Sequence, residues 1–224
     1  MNVIRRLLCT TALIGFAGAS ASVFAATPQN GNEYMTLPAA QPTESGKKVE
    51  VTEFFAYYCP HCNVFEPRLS AWVKKQGNNI VFKRVHVASD PRVAPQQRLY
   101  YTLESMGLVE QYHTKVFDAI HKDNLKLQSD DEVFAWAAKA GIDRAAFTSA
   151  YRSFGIPSKL RRAEGMMASY KVDHWPLIAI DGKYITSPSM ANKNAPQNMT
   201  EAQQQDHSLQ VMDFLVAKAR AEKK

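Results

Sequence analysis

The chain has 224 residues, 46% of them hydrophobic, and a formal net charge of +6. This apolar content is enough to bury a core, which excludes a disordered or low-complexity chain. The count of three cysteines excludes a small secreted scaffold held together by many disulfides.

The first 25 residues have the pattern of a secretory signal peptide. Arg5 and Arg6 form a short positive segment, an uncharged apolar run follows over 7–21, and residues 23–25 suit a signal peptidase. We predict cleavage after residue 25, which removes Cys9 and leaves two cysteines. The run is too short and too interrupted to favour a membrane anchor. Export and scattered basic residues argue against a nucleic-acid partner.

The exported part begins with a polar arm over 26–47 and continues in a β-α-β order. Residues 48–56 are β-branched and aromatic and predict a central strand. Residues 63–75 have apolar positions at a helical period, with Pro67 inside, and 79–88 predict a second strand. A helix between two strands is the crossover unit of a mixed or parallel sheet.

A helical block and then a hairpin follow. Gly107, Gly141 and Gly155 are expected to end helices in the block, and Asp181-Gly182 predicts a hairpin turn between strands at 177–180 and 183–186. A last helix is predicted near 206–221. The predicted helices of the block span 92–106, 108–121, 130–140, 143–153 and 157–171.

This order predicts the α/β class, as a thioredoxin fold with a large inserted helical domain. The predicted thioredoxin-like domain consists of 48–90 and 173–224, and the inserted domain of 91–172. The hairpin would then complete a sheet that begins more than about 100 residues earlier.

The remaining cysteines, Cys59 and Cys62, lie in the sequence Cys-Pro-His-Cys, directly after a predicted strand. A helix start offers unpaired N–H groups and a positive dipole end, which favour a thiolate at Cys59. Cys62 lies one helical turn later, close enough to form a disulfide and act as the resolving thiol. His61 can stabilise the thiolate further by a hydrogen bond or a partial positive charge.

Three other kinds of site can contain this motif. A zinc site needs four ligands, and there is no second cysteine pair, so His61, His86 or His174 would have to complete an improvised site. A c-type haem needs a histidine at position 63, which is Asn63. A purely structural disulfide would close a very short loop and stabilise little.

The segment from Phe54 to Cys62, with Trp175-Pro176-Leu177 and Gly182-Lys183-Tyr184 later, resembles the DsbA family of periplasmic disulfide-forming oxidoreductases. The resemblance covers roughly 48–221. It implies a periplasmic enzyme without a bound cofactor or metal. Its partners would be reduced, unfolded exported proteins and a DsbB-like inner-membrane protein that passes electrons to quinone.

The resemblance also implies roles for individual residues. Pro60 and His61 would tune the cysteines, and Pro176 would be a cis-proline that faces them. The residue before that proline, Trp175, would bind an extended client through its backbone, although family members usually have a smaller residue there. Glu53 would move protons to or from the resolving cysteine, or else form a structural ion pair; its cationic partner is Lys83 or Arg84.

The other aromatic and histidine residues lie outside the motif. Phe65 and Trp72 are predicted core residues, and Tyr57 and Tyr58 could line a client groove or belong to the core. His174 stands beside the proline and is the one histidine outside the motif singled out for testing. The others, His86, His113, His121 and His207, are interpreted as ordinary polar residues.

The favoured hypothesis is therefore a monomeric dithiol oxidase that donates its disulfide. One alternative is a disulfide isomerase or reductase; isomerases of this kind usually carry an N-terminal dimerisation domain, for which 26–47 is too short. Another is an exported metal-binding or adhesion-type protein that uses the fold without turnover.

Overall fold

The computed structural model describes residues 27–223. The predicted signal peptide therefore lies outside the described residues. The predicted N-terminal arm contains a two-residue strand, β1 (Met35–Thr36), which pairs with the edge of the sheet. So short a strand is defined by its partner rather than by its own sequence.

The predicted β-α-β unit is confirmed as β2 (Val49–Phe55), α1 (Pro60–Gln76) and β3 (Ile80–His86). Every residue of β2 is buried, as its apolar character on both faces predicted. The helix begins three residues earlier than expected, because a proline is well suited to the first helical position. Pro67 lies inside α1, as predicted.

Five helices lie between β3 and the next strand, as the sequence predicted. Gly107 and Gly141 follow helices with φ of 69° and 83°, whereas Gly155 begins a helix instead of ending one. The division into two domains at 91 and 172 stays a prediction. The helices are α2 (Ala94–Ser105), α3 (Val109–His121), α4 (Asp130–Lys139), α5 (Arg144–Tyr151) and α6 (Gly155–Tyr170).

The chain then forms β4 (Leu177–Ile180), β5 (Tyr184–Thr186), a short helix α7 (Pro188–Ala191) and α8 (Glu201–Glu222). Helix α8 begins five residues before the predicted start. Thr200 and Gln203 form a capping box there, which satisfies the first N–H groups of the helix. The polar composition of this stretch does not by itself predict a helix start.

The described strands form a sheet in the order β1-β5-β4-β2-β3. β2 pairs in parallel with β3, and the other neighbours are antiparallel. One face of the central strands packs with α1 and α8, and the other packs with the inserted helices. The thioredoxin fold with inserted helices is thus confirmed, and it places the end of β2 between both layers.

The hairpin turn holds the N-terminal arm through Gly182. Its φ is +66°, and its carbonyl accepts a hydrogen bond of 2.8 Å from the N–H of Gln41. A Cβ at this position would overlap the Gln41 carbonyl. We expect Gly182→Ala to lower the free energy of unfolding by about 2–3 kcal/mol, through left-handed strain and the displaced arm. Urea unfolding measures this, and Gly165→Ala, whose Cβ meets open space, is the control.

Candidate active site

The end of β2 delivers the two cysteines to the start of α1. Cys59 is the N-cap residue, and its Sγ accepts a hydrogen bond of 3.2 Å from the Cys62 N–H. Both are free thiols in this structure. Cys59 keeps 5% of its surface exposed and Cys62 none, so a partner can reach the sulfur of Cys59 first.

The environment of Cys59 favours its thiolate. The pKa of this thiol is lowered from 9.0 to about 7, chiefly because the Cys62 thiol donates a hydrogen bond to it. Burial raises the pKa, and the N–H groups of Cys62 and His61 lower it further. About half of the Cys59 thiols are therefore ionised at pH 7, whereas an ordinary thiol is almost wholly protonated.

Cys62 behaves in the opposite way. Burial raises the pKa of its thiol far above the usual value, and the neighbouring Cys59 raises it further. When the disulfide opens, Cys62 therefore takes up a proton, while Cys59 leaves or attacks as an anion. This asymmetry agrees with the predicted order of an attacked and a resolving sulfur.

The peptide bond between Trp175 and Pro176 is cis, as predicted. The carbonyl oxygen of Trp175 lies 3.5 Å from Sγ of Cys59. The Trp175 ring meets the Tyr58 ring edge-on, with centroids 6.1 Å apart. The Trp175 carbonyl therefore borders the reactive sulfur, and the rings of Tyr58 and Trp175 pack against each other.

A cleft of about 460 Å³ opens beside this carbonyl. The ring of His61 belongs to its wall, together with His174, which was singled out from the sequence. His174 Nε2 lies 3.1 Å from the Ser187 hydroxyl. In the described part of the chain the His61 ring makes no hydrogen bond to Cys59; its backbone N–H supports the thiolate instead.

Beneath the cysteines, Glu53 pairs with Arg84, whose Nε donates a hydrogen bond of 3.0 Å to Glu53 Oε2. The two residues are register partners in the parallel ladder, and Thr52 pairs with Lys83. Side chains alternate between faces along a strand, so Lys83 points the other way and binds Glu50. The structure thus selects Arg84 of the two predicted partners.

Glu53 retains a proton more readily than an ordinary carboxyl group. Burial raises its pKa to about 8, and the negative charge of Glu66 adds to this, although the Arg84 guanidinium opposes both. A carboxyl group with this pKa is protonated for most of the time at pH 7 and can exchange its proton near neutral pH.

Sequence reasoning missed a group of imidazoles around Tyr57, which is completely buried and does not line a groove. His86 Nε2 accepts the Tyr57 N–H at 3.1 Å, and His121 Nε2 lies 2.8 Å from the Tyr57 carbonyl. His113 Nδ1 lies 3.0 Å from the Tyr57 hydroxyl. The interpretation of these three as ordinary polar histidines was wrong, since tertiary packing aims all of them at one residue.

Two helical spacings could have pointed to part of this group. His113 and His121 are eight residues apart on α3, and so share a face. Glu66 is four residues after Cys62 on α1 and faces the same interior.

The predicted core residues Phe65 and Trp72 are buried, at 1% and 4% exposure.

The described residues contain no group of three or more His, Cys, Asp or Glu side chains that could hold a metal ion. Between residues 27 and 223, no helix is both long and apolar enough to cross a membrane.

Comparisons with known proteins agree with this geometry. Residues 50–205 match the family model described as a DSBA-like thioredoxin domain. The thiol:disulfide interchange protein DsbA of Burkholderia cepacia is 36% identical over 221 residues, which cover 98% of this chain and 99% of the relative. The protein of the same name from Azotobacter vinelandii is 33% identical and covers 98% of this chain and 97% of its own.

A solved structure is similar as well. The crystal structure of Pseudomonas aeruginosa DsbA superimposes with a TM-score of 0.77 at 32% sequence identity. The match covers 86% of this chain and 94% of that one. The similarity therefore includes the inserted helices as well as the thioredoxin core.

Proposed function

The chain belongs to the DsbA family of thiol:disulfide interchange proteins, and from this premise we propose that it is a dithiol oxidase of newly exported proteins. It is an oxidoreductase in which Cys59 and Cys62 carry the reacting disulfide. The observation that supports disulfide exchange at this pair most is the asymmetry of the two thiols, one stabilised as an anion at a helix start and the other buried and protonated.

The reaction consists of two exchanges. A client thiolate attacks Sγ of Cys59 in the oxidised protein, the bond between the cysteines breaks, and Cys62 leaves with the electron pair and takes a proton. A second client thiolate then attacks the client sulfur of the mixed disulfide, and Cys59 leaves as a thiolate. The client gains a disulfide, and the protein is left with two reduced thiols.

Glu53 supplies the proton that Cys62 takes up. It is 1% exposed, its carboxyl group has a pKa of about 8, and it lies near enough for its ionised form to raise the pKa of Cys62. Burial excludes bulk water as a ready proton source, so a nearby carboxyl group that is protonated at neutral pH fits this role.

Trp175 and Pro176 hold the client. The Trp175 carbonyl, 3.5 Å from the attacked sulfur, can accept a hydrogen bond from the backbone of an extended segment. His61 and the adjoining cleft contact its side chains, and Pro60 fixes the first turn of the helix.

The protein acts in the periplasm as a monomer, without a bound cofactor. Each turnover leaves two electrons and two protons on the cysteines, and a DsbB-like quinone reductase of the inner membrane removes them. The same exposed Cys59 serves clients and this partner in turn.

The experiment that tests the proposal is the redox equilibrium of the mature protein with glutathione. Thiol trapping and mass spectrometry measure the fraction of reduced protein. We expect the protein disulfide to be more oxidising than that of thioredoxin, with a potential well above about −270 mV. A reductase of the thioredoxin type has a similar thiol pKa, so the pKa alone does not separate the two functions. A potential at or below about −270 mV would mean that the protein is a reductase.

A further inference from the structure

A buried chain of polar contacts connects Tyr57 to Glu53. The Tyr57 hydroxyl lies 3.0 Å from Nδ1 of His113, and Nε2 of His113 lies 3.5 Å from Oε2 of Glu66. Oε1 of Glu66 accepts a bond of 2.8 Å from Nη2 of Arg84, whose Nε donates to Glu53. The side chains of the charged members are at most 8% exposed.

The chain fixes the tautomer of His113. Nε2 of His113 and Oε2 of Glu66 face each other at 3.5 Å, and among the described residues neither atom has a well-formed hydrogen bond. A carboxylate can only accept, so Nε2 carries the hydrogen and Nδ1 accepts from the Tyr57 hydroxyl. Burial and the charge of Arg84 lower the pKa of His113, so near pH 7 its ring is a neutral donor that faces Glu66.

The charges in this chain do not balance unless one carboxyl group keeps a proton. Glu53 and Glu66 share a single guanidinium, that of Arg84. Two buried carboxylates beside one cation leave an excess negative charge, which is costly in the interior. The carboxyl group with more hydrogen-bond donors ionises, and the other stays neutral.

We propose that His113 is a positioning residue for the exchange reaction: its N–H keeps Glu66 ionised as the counterion of Arg84, which leaves Glu53 to hold a proton beside the cysteines. This inference rests on the proposed function, because Glu53 matters only where Cys62 takes up a proton.

The electrostatics of Glu66 agree with this role. Burial raises the pKa of Glu66, but the polar contact with His113 and the charge of Arg84 outweigh it and hold the pKa below its usual value. Burial and Arg84 lower the pKa of His113, and Glu66 opposes them. The ionisable groups around His113 are Glu66 from α1, Tyr57 after β2, Arg84 and His86 from β3, Tyr100 from α2, and Glu110 on its own helix.

The test is the titration of Glu53 in the full mature protein. NMR of side-chain carboxyl carbons in ¹³C-glutamate-labelled samples monitors this titration. Loss of one signal in Glu53→Gln assigns the resonance. Without the donor at 113, Glu66 competes better for the proton, so His113→Phe should lower the proton affinity of Glu53 by about tenfold. His113→Gln, which restores an N–H donor, should recover most of the loss.

His121→Phe is the matched control. His121 lies on the same helix and also contacts Tyr57, through its carbonyl, but it is not a partner of Glu66. The Glu53 titration should be the same as in the unmodified protein. An equal shift in both Phe variants would overturn the inference, because it would then reflect a general disturbance around Tyr57.

The double variant His113→Phe/Glu66→Gln decides whether His113 acts through Glu66. Glu66→Gln alone should lower the proton affinity of Glu53, and adding His113→Phe should change it no further. A further fall would overturn the proposed route. Because this titration needs no client or glutathione, its failure is separate from failure of the oxidase proposal, which the redox equilibrium measures.

Discussion

Cys62→Ala is expected to accumulate mixed disulfides with exported proteins, and Cys59→Ala to accumulate none. In Cys62→Ala the remaining thiol is Cys59, which keeps some exposed surface and the backbone N–H groups at the helix start, although it loses the hydrogen bond from the Cys62 thiol. Its thiolate attacks a disulfide of a client and forms a mixed disulfide, and the second client sulfur leaves. The resolving thiol is missing, so nothing within the protein releases the client.

Cys59→Ala leaves only Cys62, which has no exposed surface and a pKa raised by burial. A buried, protonated thiol neither reaches a client nor attacks it. Both variants should lose catalysed disulfide formation entirely, so oxidation of a reduced test protein should fall to the uncatalysed rate. Acid trapping, non-reducing electrophoresis and mass spectrometry measure the trapped species.

The double variant Cys59→Ala/Cys62→Ala provides the background for this experiment, and circular dichroism shows whether each variant folds. If Cys59→Ala trapped as many clients as Cys62→Ala, the order of attack assigned to the two sulfurs would be reversed. If neither trapped any, disulfide exchange with clients would be the wrong reaction.

Local sequence signals were sufficient to predict most of the fold. The β-branched run before the motif and the helical periods after it gave β2, α1 and the inserted helices, because propensity and burial point the same way there. Strand β1 could not be found in this way. Two residues carry no period, and only the position of the hairpin edge makes them a strand.

In the site, too, some residues have a local sequence signal and others are defined only by tertiary contacts. Cys59 and Cys62 lie in a motif that indicates their chemistry, and the resemblance to the DsbA family located the cis-proline; the structure brings all three together. The choice of Arg84 over Lys83 needed the strand register, since a shift of one residue exchanges the two faces. His113 needed the packing of α3 against α1, which no local pattern contains.

Glu53→Gln is expected to change how the stability of the protein depends on pH. The folded pKa of Glu53 is about 8, against 4.5 for the unconstrained group. Between these values the folded state binds more protons than the unfolded state, so the free energy of unfolding falls as pH rises. This loss is absent below pH 4.5 and complete above pH 8.

The Gln variant has no such titration, so its stability should gain on that of the unmodified protein as pH rises. The gain should be on the order of 4 kcal/mol between pH 5 and pH 8. Urea unfolding of both proteins under reducing conditions measures it, and the contribution of Cys59 largely cancels because both proteins contain it.

Glu44→Gln separates this effect from the simple loss of a carboxyl group. Hydrogen bonds from Lys83 and Arg162 lower the pKa of Glu44, so this exposed group is already ionised at pH 5 and adds no slope up to pH 8. Its stability curve should run parallel to that of the unmodified protein. A parallel curve for Glu53→Gln as well would mean that Glu53 is ionised in the fold, and Cys62 would then need another proton donor.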